Sequence, residues 1–349
     1  MQKPIIAITM GDAAGIGPEI VVKSLADLRW RSWCEPVVLG DLRVLQEAVA
    51  RAGVSITLEA VSGARAAAPA AGKIRVIDYR NVDPGTVRMG VIDAKLGAAA
   101  VHYTREAARM ALAGEIDGIV SAPLNKEAMR EAGFDYEGAT QIFAEEAGVT
   151  RYAMMLLLGE MRLMLLTNHM SLREALDKVT KARVHEKITL AHEALVEQGI
   201  ATPRIAVSAL NPHAGEGGLF GREEVDEIVP AIEQACREGI NAIGPVPADT
   251  VFFKTKQGMF DLTIALYHDQ GLGAVKLLGF GSVVTLLAGL PFIRTSTGHG
   301  TAFDIAGKGV ADHANLLEAI RIAAELGGLR RRTGGGSHVA GGRRAPGVA

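Results

Sequence analysis

Three histidines carry the first chemical signal in this chain. His169 follows the apolar run in "MRLMLLTNHMSLREAL", His213 the run in "RIAVSALNPHAGEGGLFGREE", and His268 the run in "LTIALYHDQGLGAVK". Each stands in a polar break directly after a strand-like stretch, and any one alone reads as an ordinary loop or capping histidine. Together they predict three imidazoles meeting at the carboxyl ends of parallel strands. Three neutral nitrogen donors with an open position form a catalytic divalent-metal site, with zinc the usual occupant. A ligating imidazole needs an outer partner that fixes its tautomer. Asp269, beside His268, and Asp249, in "GPVPADTVF", are the candidates. Asp249 reads equally as a helix cap or an acid–base group. In "LPFIRTSTGHGTAFDIAGKGVAD", Arg294 is suited to bidentate contact with a phosphate or carboxylate, and Lys276 to supplying a second positive charge. "TMGDAAGIGPEI" is weaker: it is neither G-x-G-x-x-G nor a P-loop. It reads as a strand-to-helix turn, with Pro18 suited to the first helical turn and Glu19 to the dipole.

The elements that must place these residues alternate. "PIIAITM" precedes the helical pattern "GPEIVVKSLADL", "EPVVLG" precedes "DLRVLQEAVARAG", "IDGIVSAPL" precedes "NKEAMREAG", and "RIAVSAL" precedes a glycine-rich loop and "REEVDEIVPAIEQACREG". Such alternation predicts βαβ units and a mainly parallel sheet covered by helices, whose strand ends are where ligands sit. Ser171, after the His169 break, is placed to cap a helix. "SGARAAAPAAGK" (62–73) reads as a surface loop. From Arg330 onward the Gly/Arg-rich run 330–349 reads as a disordered tail.

Bulk properties bound the function. With 349 residues, the chain is long for one small core. A formal charge of −2 offers no basic field for nucleic acid. Apolar stretches are too short or too interrupted for a signal peptide or a membrane span, so a cytoplasmic protein with no membrane partner is expected. Cys34 and Cys236 read as reduced thiols.

The motifs "TMGDAAGIGPEI", "SAPLNKEAM", "TNHMSLREA", "LNPHAGEGGLFGREE", "GPVPADTVF", "YHDQGLGAVK" and "GFGSVVTLLAGLPFIRTSTGHGTAFDIAGKGVAD" together resemble the 4-hydroxythreonine-4-phosphate dehydrogenase family, over about residues 4–326. "GDAAGIGPEI" and "HGTAFDIAGKG" also resemble the wider isocitrate/isopropylmalate dehydrogenase fold. The resemblance implies residues 1–329 as one catalytic unit of two interleaved α/β subdomains around a central cleft. It further implies a homodimer with the active site at the subunit interface, and a metal- and NAD-dependent dehydrogenase.

By motif, His169, His213 and His268 would be the metal ligands, shared across the dimer. Zinc, or magnesium, cobalt or manganese, would occupy the site. Asp249 would stand near the metal as the catalytic group. Thr140, Thr285, Lys276 and Arg294 would bind substrate. His299, Gly300 and Asp304 would bind the cofactor; a carboxylate at Asp304 would favour the ribose hydroxyls of NAD over the 2′-phosphate of NADP.

The chain departs from the family pattern at Ala139 for His, Thr285 for Asn, Gly298 for Asp and Ala13 for Pro. Two of these touch substrate positions. The reaction expected is oxidation of a secondary alcohol of a small phosphorylated hydroxy acid, of the 4-hydroxythreonine 4-phosphate or threonate/erythronate 4-phosphate type, with decarboxylation of the β-keto acid. The alternatives are a cis-dihydrodiol carboxylate dehydrogenase, a metallohydrolase without nucleotide, or a non-catalytic paralogue.

Overall fold

A computed structural model describes residues 2–66 and 72–333. In chain order the elements are β1 (Ile5–Thr9), α1 (Gly17–Ala26), β2 (Glu35–Gly40), α2 (Leu42–Ala52), β3 (Thr57–Val61), β4 (Lys73–Asp78), α3 (Ala94–Leu112), β5 (Gly118–Ser121), α4 (Lys126–Glu131), α5 (Ala139–Ala147), β6 (Ala153–Leu158) and β7 (Met161–Leu165). The second part comprises α6 (Leu172–Asp177), α7 (Lys181–Glu197), β8 (Ile205–Ser208), α8 (Val229–Arg237), β9 (Ala242–Val246), α9 (Ala248–Lys256), β10 (Leu262–Ala265), α10 (His268–Gly279), β11 (Val284–Ala288), β12 (Arg294–Thr297) and α11 (Ala314–Thr333).

The strands join in one sheet of order β3-β4-β2-β1-β5-β12-β11-β6-β7-β10-β8-β9. β3 through β12 in this order are parallel to one another, and so are β7, β10, β8 and β9. Between these halves, β11 runs antiparallel to both β12 and β6, and β6 pairs antiparallel with β7. The expectation of a mainly parallel sheet holds. One antiparallel pair of the seam, β6 with β7, comes from "AMMLLLGEMRLMLL", which folds as a hairpin at Gly159. Helices α3 and α11 both lie against β1 and β5 without packing on one another, so both faces of the sheet are covered. The inner strands β1, β2, β5, β8, β10 and β11 are almost wholly buried and apolar but for a single polar residue each, whereas the edge strands β3 and β9 are partly exposed.

Local chemistry sets the element ends. Ser171 caps α6, as the sequence predicts, and Glu174 completes a reciprocal capping box with it. Glu19, expected to serve only the α1 dipole, is buried and accepts both the Lys23 ammonium and the Ala311 N–H. It thereby ties the first motif to the loop after β12. The polar stretch from Arg294 is a buried central strand. The glycine-containing stretch after His268 is the helix α10.

Cys34 and Cys236 are free thiols. Among the described residues no helix is long and apolar enough to cross a membrane. α11 runs on to Thr333, into the stretch expected as tail. The rest of that stretch, 334–349, and residues 67–71 of the expected loop lie outside the described residues.

Candidate active site

The sheet reverses direction where β12, β11 and β6 meet, and a cavity of about 500 Å³ opens there. Its floor is a row of hydroxyls in register across three strands: Thr285 lies opposite Ser296, and Ser296 opposite Ser121. Arg294, two residues before Ser296 and therefore on the same face, is 4% exposed. Its Nε donates to Ser121 Oγ at 3.2 Å, and its guanidinium lies 5.1 Å from the centre of the Phe143 ring. Among the described residues no carboxylate offsets its charge. Burial alone pushes its pKa down to about 10, so it stays cationic at neutral pH. A buried, unneutralised guanidinium among hydroxyls is a receptor for an anion.

The cavity wall brings in Thr140 from the start of α5, Lys276 from α10, and His299 and Gly300 from the turn after β12. His169 and His268 line it too, with ring centroids 5.5 Å apart. Their placement follows from stitching along the carboxyl edge of β7, β10 and β8. The Thr167 hydroxyl donates to Leu266 O at 2.9 Å, and Gln270 Nε2 donates to Ala209 O at 2.8 Å. Gly271 lets α10 settle on the sheet, since a Cβ there would stand 2.6 Å from the Leu163 side chain. His268 Nδ1 and Asp269 Oδ1 are 2.7 Å apart, the outer partnership expected of Asp269. Burial, then the charges of Lys126 and His268, lower the His169 pKa and favour the neutral ring that binds metal.

The remaining candidates lie outside this lining. His213 follows β8, the neighbour of β10, and is exposed on a left-handed turn. Asp249 is exposed in the first turn of α9 after β9, and its side chain makes no cap bond. His169, His268, His213 and Asp249 thus follow four adjacent parallel strands along one edge. Within the single chain, no three His, Cys, Asp or Glu side chains among the described residues are close enough to hold a metal ion. Two paired imidazoles, one favoured neutral and one oriented by a carboxylate, nevertheless have the chemistry of an incomplete divalent-cation site. Asp304 is exposed on the loop beyond Gly300, whose Thr301 carbonyl accepts the Ile16 N–H from the first motif.

Ser121, Lys126, Thr167 and Gln270 were not singled out from the sequence. Lys126 lines the cavity from the start of α4. The only signal for it was its place after "SAPLN", at a strand end.

Residues 32–323 match the family described as pyridoxal phosphate biosynthetic protein PdxA. The chain is 45% identical over 324 residues to a D-threonate 4-phosphate dehydrogenase of Cupriavidus necator, covering 93% of this chain and 97% of that one. Its fold is similar to that of a 4-hydroxythreonine-4-phosphate dehydrogenase from Klebsiella pneumoniae, with a TM-score of 0.86 and 42% identity over 93% of this chain and 99% of that one. A terephthalate 1,2-cis-dihydrodiol dehydrogenase from Burkholderia xenovorans is similar at a TM-score of 0.65 and 32% identity, over 92% and 98% of the two chains.

Proposed function

The chain belongs to the PdxA family of pyridoxal phosphate biosynthetic proteins, and from that premise we propose a metal- and NAD-dependent dehydrogenase acting on a phosphorylated hydroxy acid of the threonate 4-phosphate type. The observation that carries the reading is the cavity that joins the buried Arg294 and its hydroxyl row to the His169–His268 pair. An anion receptor beside a pair of ligating imidazoles fits a substrate with a phosphate close to a reacting carbinol. The whole fold, both halves of the sheet, acts as one catalytic unit.

Arg294, Ser121, Thr285 and Thr140 would bind the phosphate, and Lys276 with Lys126 the remaining negative charge. His169, His268 and His213 would hold a divalent cation, zinc the first choice, which when bound lowers the pKa of the substrate hydroxyl by Lewis acidity. His299, Gly300 and Asp304 would hold NAD. Asp249 would take the hydroxyl proton directly or through a water. Oxidation at the carbon β to a carboxylate leaves a β-keto acid prone to lose carbon dioxide. Since His213 faces outward while its two counterparts share the cavity, the site is completed in a homodimer. The exposed Leu219 and Phe220 beside His213, and Leu277 and Phe280 on and after α10, supply apolar surface for that contact.

The test is a screen of 4-phosphorylated hydroxy acids and of cis-dihydrodiol carboxylates for NAD reduction by the zinc-loaded protein, with His213→Ala alongside. Turnover of a phosphorylated hydroxy acid, lost together with zinc in the variant, supports the reading. Turnover of dihydrodiols alone, or zinc retained by the variant, overturns it.

A further inference from the structure

The loop carrying His213 has a conformation that the reaction alone does not explain. Five successive residues, His213 to Gly217, lie in the left-handed region, and His213, Ala214 and Glu216 do so at φ of 53°, 58° and 45° with a Cβ to accommodate. Each such non-glycine residue costs free energy, and a run persists only where its surroundings over-determine it. The over-determination is visible below the turn. Glu224, 1% exposed, opens a π-helical segment, Glu224–Ile228, that leads into α8. Its Oε1 accepts the backbone N–H groups of Leu210 and Asn211 at 2.8 and 2.7 Å, and its Oε2 accepts Asn211 Nδ2 at 2.8 Å. The same amide donates to Glu223 Oε2 at 2.7 Å. A Cβ on Gly215, at the centre of the turn, would stand 2.9 Å from Glu224 Oε2, so the carboxylate packs directly against the turn.

We infer that Glu224 is a positioning residue, the clamp that holds the end of β8 and the left-handed turn so that His213 is presented for metal binding. The inference rests on the proposed ligand set. One buried carboxylate closes three donors at the root of the loop and packs against the turn. Its job requires a carboxylate. In Glu224→Gln the amide nitrogen must face either the two backbone N–H groups or the Asn211 amide. Turning Asn211 over to receive it would set its carbonyl oxygen against Glu223. Either a donor is left facing a donor or an acceptor facing an acceptor, and the turn relaxes toward ordinary φ values, carrying the imidazole with it. Outer groups of this kind change metal affinity by about ten- to a hundredfold.

The experiment is a double-mutant cycle on the full-length protein, with zinc affinity measured calorimetrically for wild type, His213→Ala, Glu224→Gln and the double variant. Thermal melts of the metal-free proteins run alongside. The expected result is at least a tenfold loss of affinity in Glu224→Gln while the fold persists, and no further loss when that change is added to His213→Ala. Merely structural loosening would instead weaken the double variant beyond His213→Ala. Undiminished zinc affinity in His213→Ala removes the proposed ligand set itself. Loss there with wild-type affinity in Glu224→Gln overturns the clamp alone. Should Glu224→Gln fail to fold, Asn211→Ala keeps the Glu224 contacts to the backbone and removes only the amide. It is expected to lose several-fold in affinity, again not additively with His213→Ala, and unchanged affinity there overturns the clamp.

Discussion

At the scale of single residues, the strongest functional statement is made by Arg294, because folding spends stability to keep it. An unneutralised buried guanidinium is an expense that a purely structural site would avoid, and the side chain is almost fully buried without a carboxylate partner. Arg294→Met is therefore expected to weaken inorganic phosphate binding about ten- to a hundredfold, as for a lost hydrogen-bonded ion pair. The melting midpoint of the ligand-free protein should not fall. Calorimetry and a thermal melt on one preparation check both; a variant that loses stability but keeps phosphate would make Arg294 structural.

Asp12 is the acidic counterpart. It is 1% exposed, its Oδ1 accepts the Ala14 N–H at 2.8 Å, and its Oδ2 has no partner. Burial raises its pKa from 3.8 to about 6. A carboxyl raised on folding stabilises the fold below its unfolded pKa and loses that contribution as pH climbs through about 6. At pH 8 the charged form costs about 3 kcal/mol. Asp12→Asn should thus raise the melting midpoint at pH 8 and leave it nearly unchanged at pH 4. A pH-independent difference between the two proteins would refute the assignment.

At the scale of elements, backbone approach decides what reaches the cavity. Gly97 in α3 faces the backbone of α4; a Cβ there would stand 2.3 Å from the carbonyl of Ala128, which cannot swing aside as a side chain could. Gly97→Ala gains up to about 1 kcal/mol of helix propensity but forces apart two packed helices, at about 1–3 kcal/mol or more. Overpacking should win, lowering the melting midpoint and displacing Lys126 at the start of α4. A variant as stable as the parent, with unaltered substrate affinity, would contradict this.

Elements of this kind also mark where the sequence was legible. The strand–helix alternation and the three histidine stations could be read because apolar runs of strand length end in visible polar breaks. The Ser171 cap followed from residue type and position alone. The seam was harder. Arg294, Thr295, Ser296 and Thr297 look like loop residues, and only pairing with β5 and β11 buries them as a strand. The roles of Thr167 and Gln270 depend on which strands are neighbours, and that order is a property of the tertiary fold. His213 was placed correctly after its strand, but its left-handed turn is imposed by Glu224, a residue more than ten positions away.

At the scale of the whole molecule, the distribution of exposed apolar surface bears on how the proposed cation site would be completed. Leu277 and Phe280 are 87% and 85% exposed at the end of the helix that begins with His268, and Leu219 is 75% exposed just after the His213 turn. Large side chains left in water on the segments that carry the proposed ligand histidines are what a subunit contact would cover. A two-fold contact uses the same patch on both copies, so one substitution is felt twice. Leu277→Asp combined with Phe280→Asp would bring two carboxylates from each copy into the contact, four in all, and should convert a dimer to monomers in sedimentation equilibrium. If the outward-facing His213 serves a shared site, the monomeric variant should also bind zinc more weakly, although none of the three histidines has been changed. Phosphate binding at Arg294, on the floor of one chain's own cavity, should survive. A monomeric variant with full zinc affinity would mean that each chain builds its metal site alone, and an undiminished dimer would place the subunit contact elsewhere.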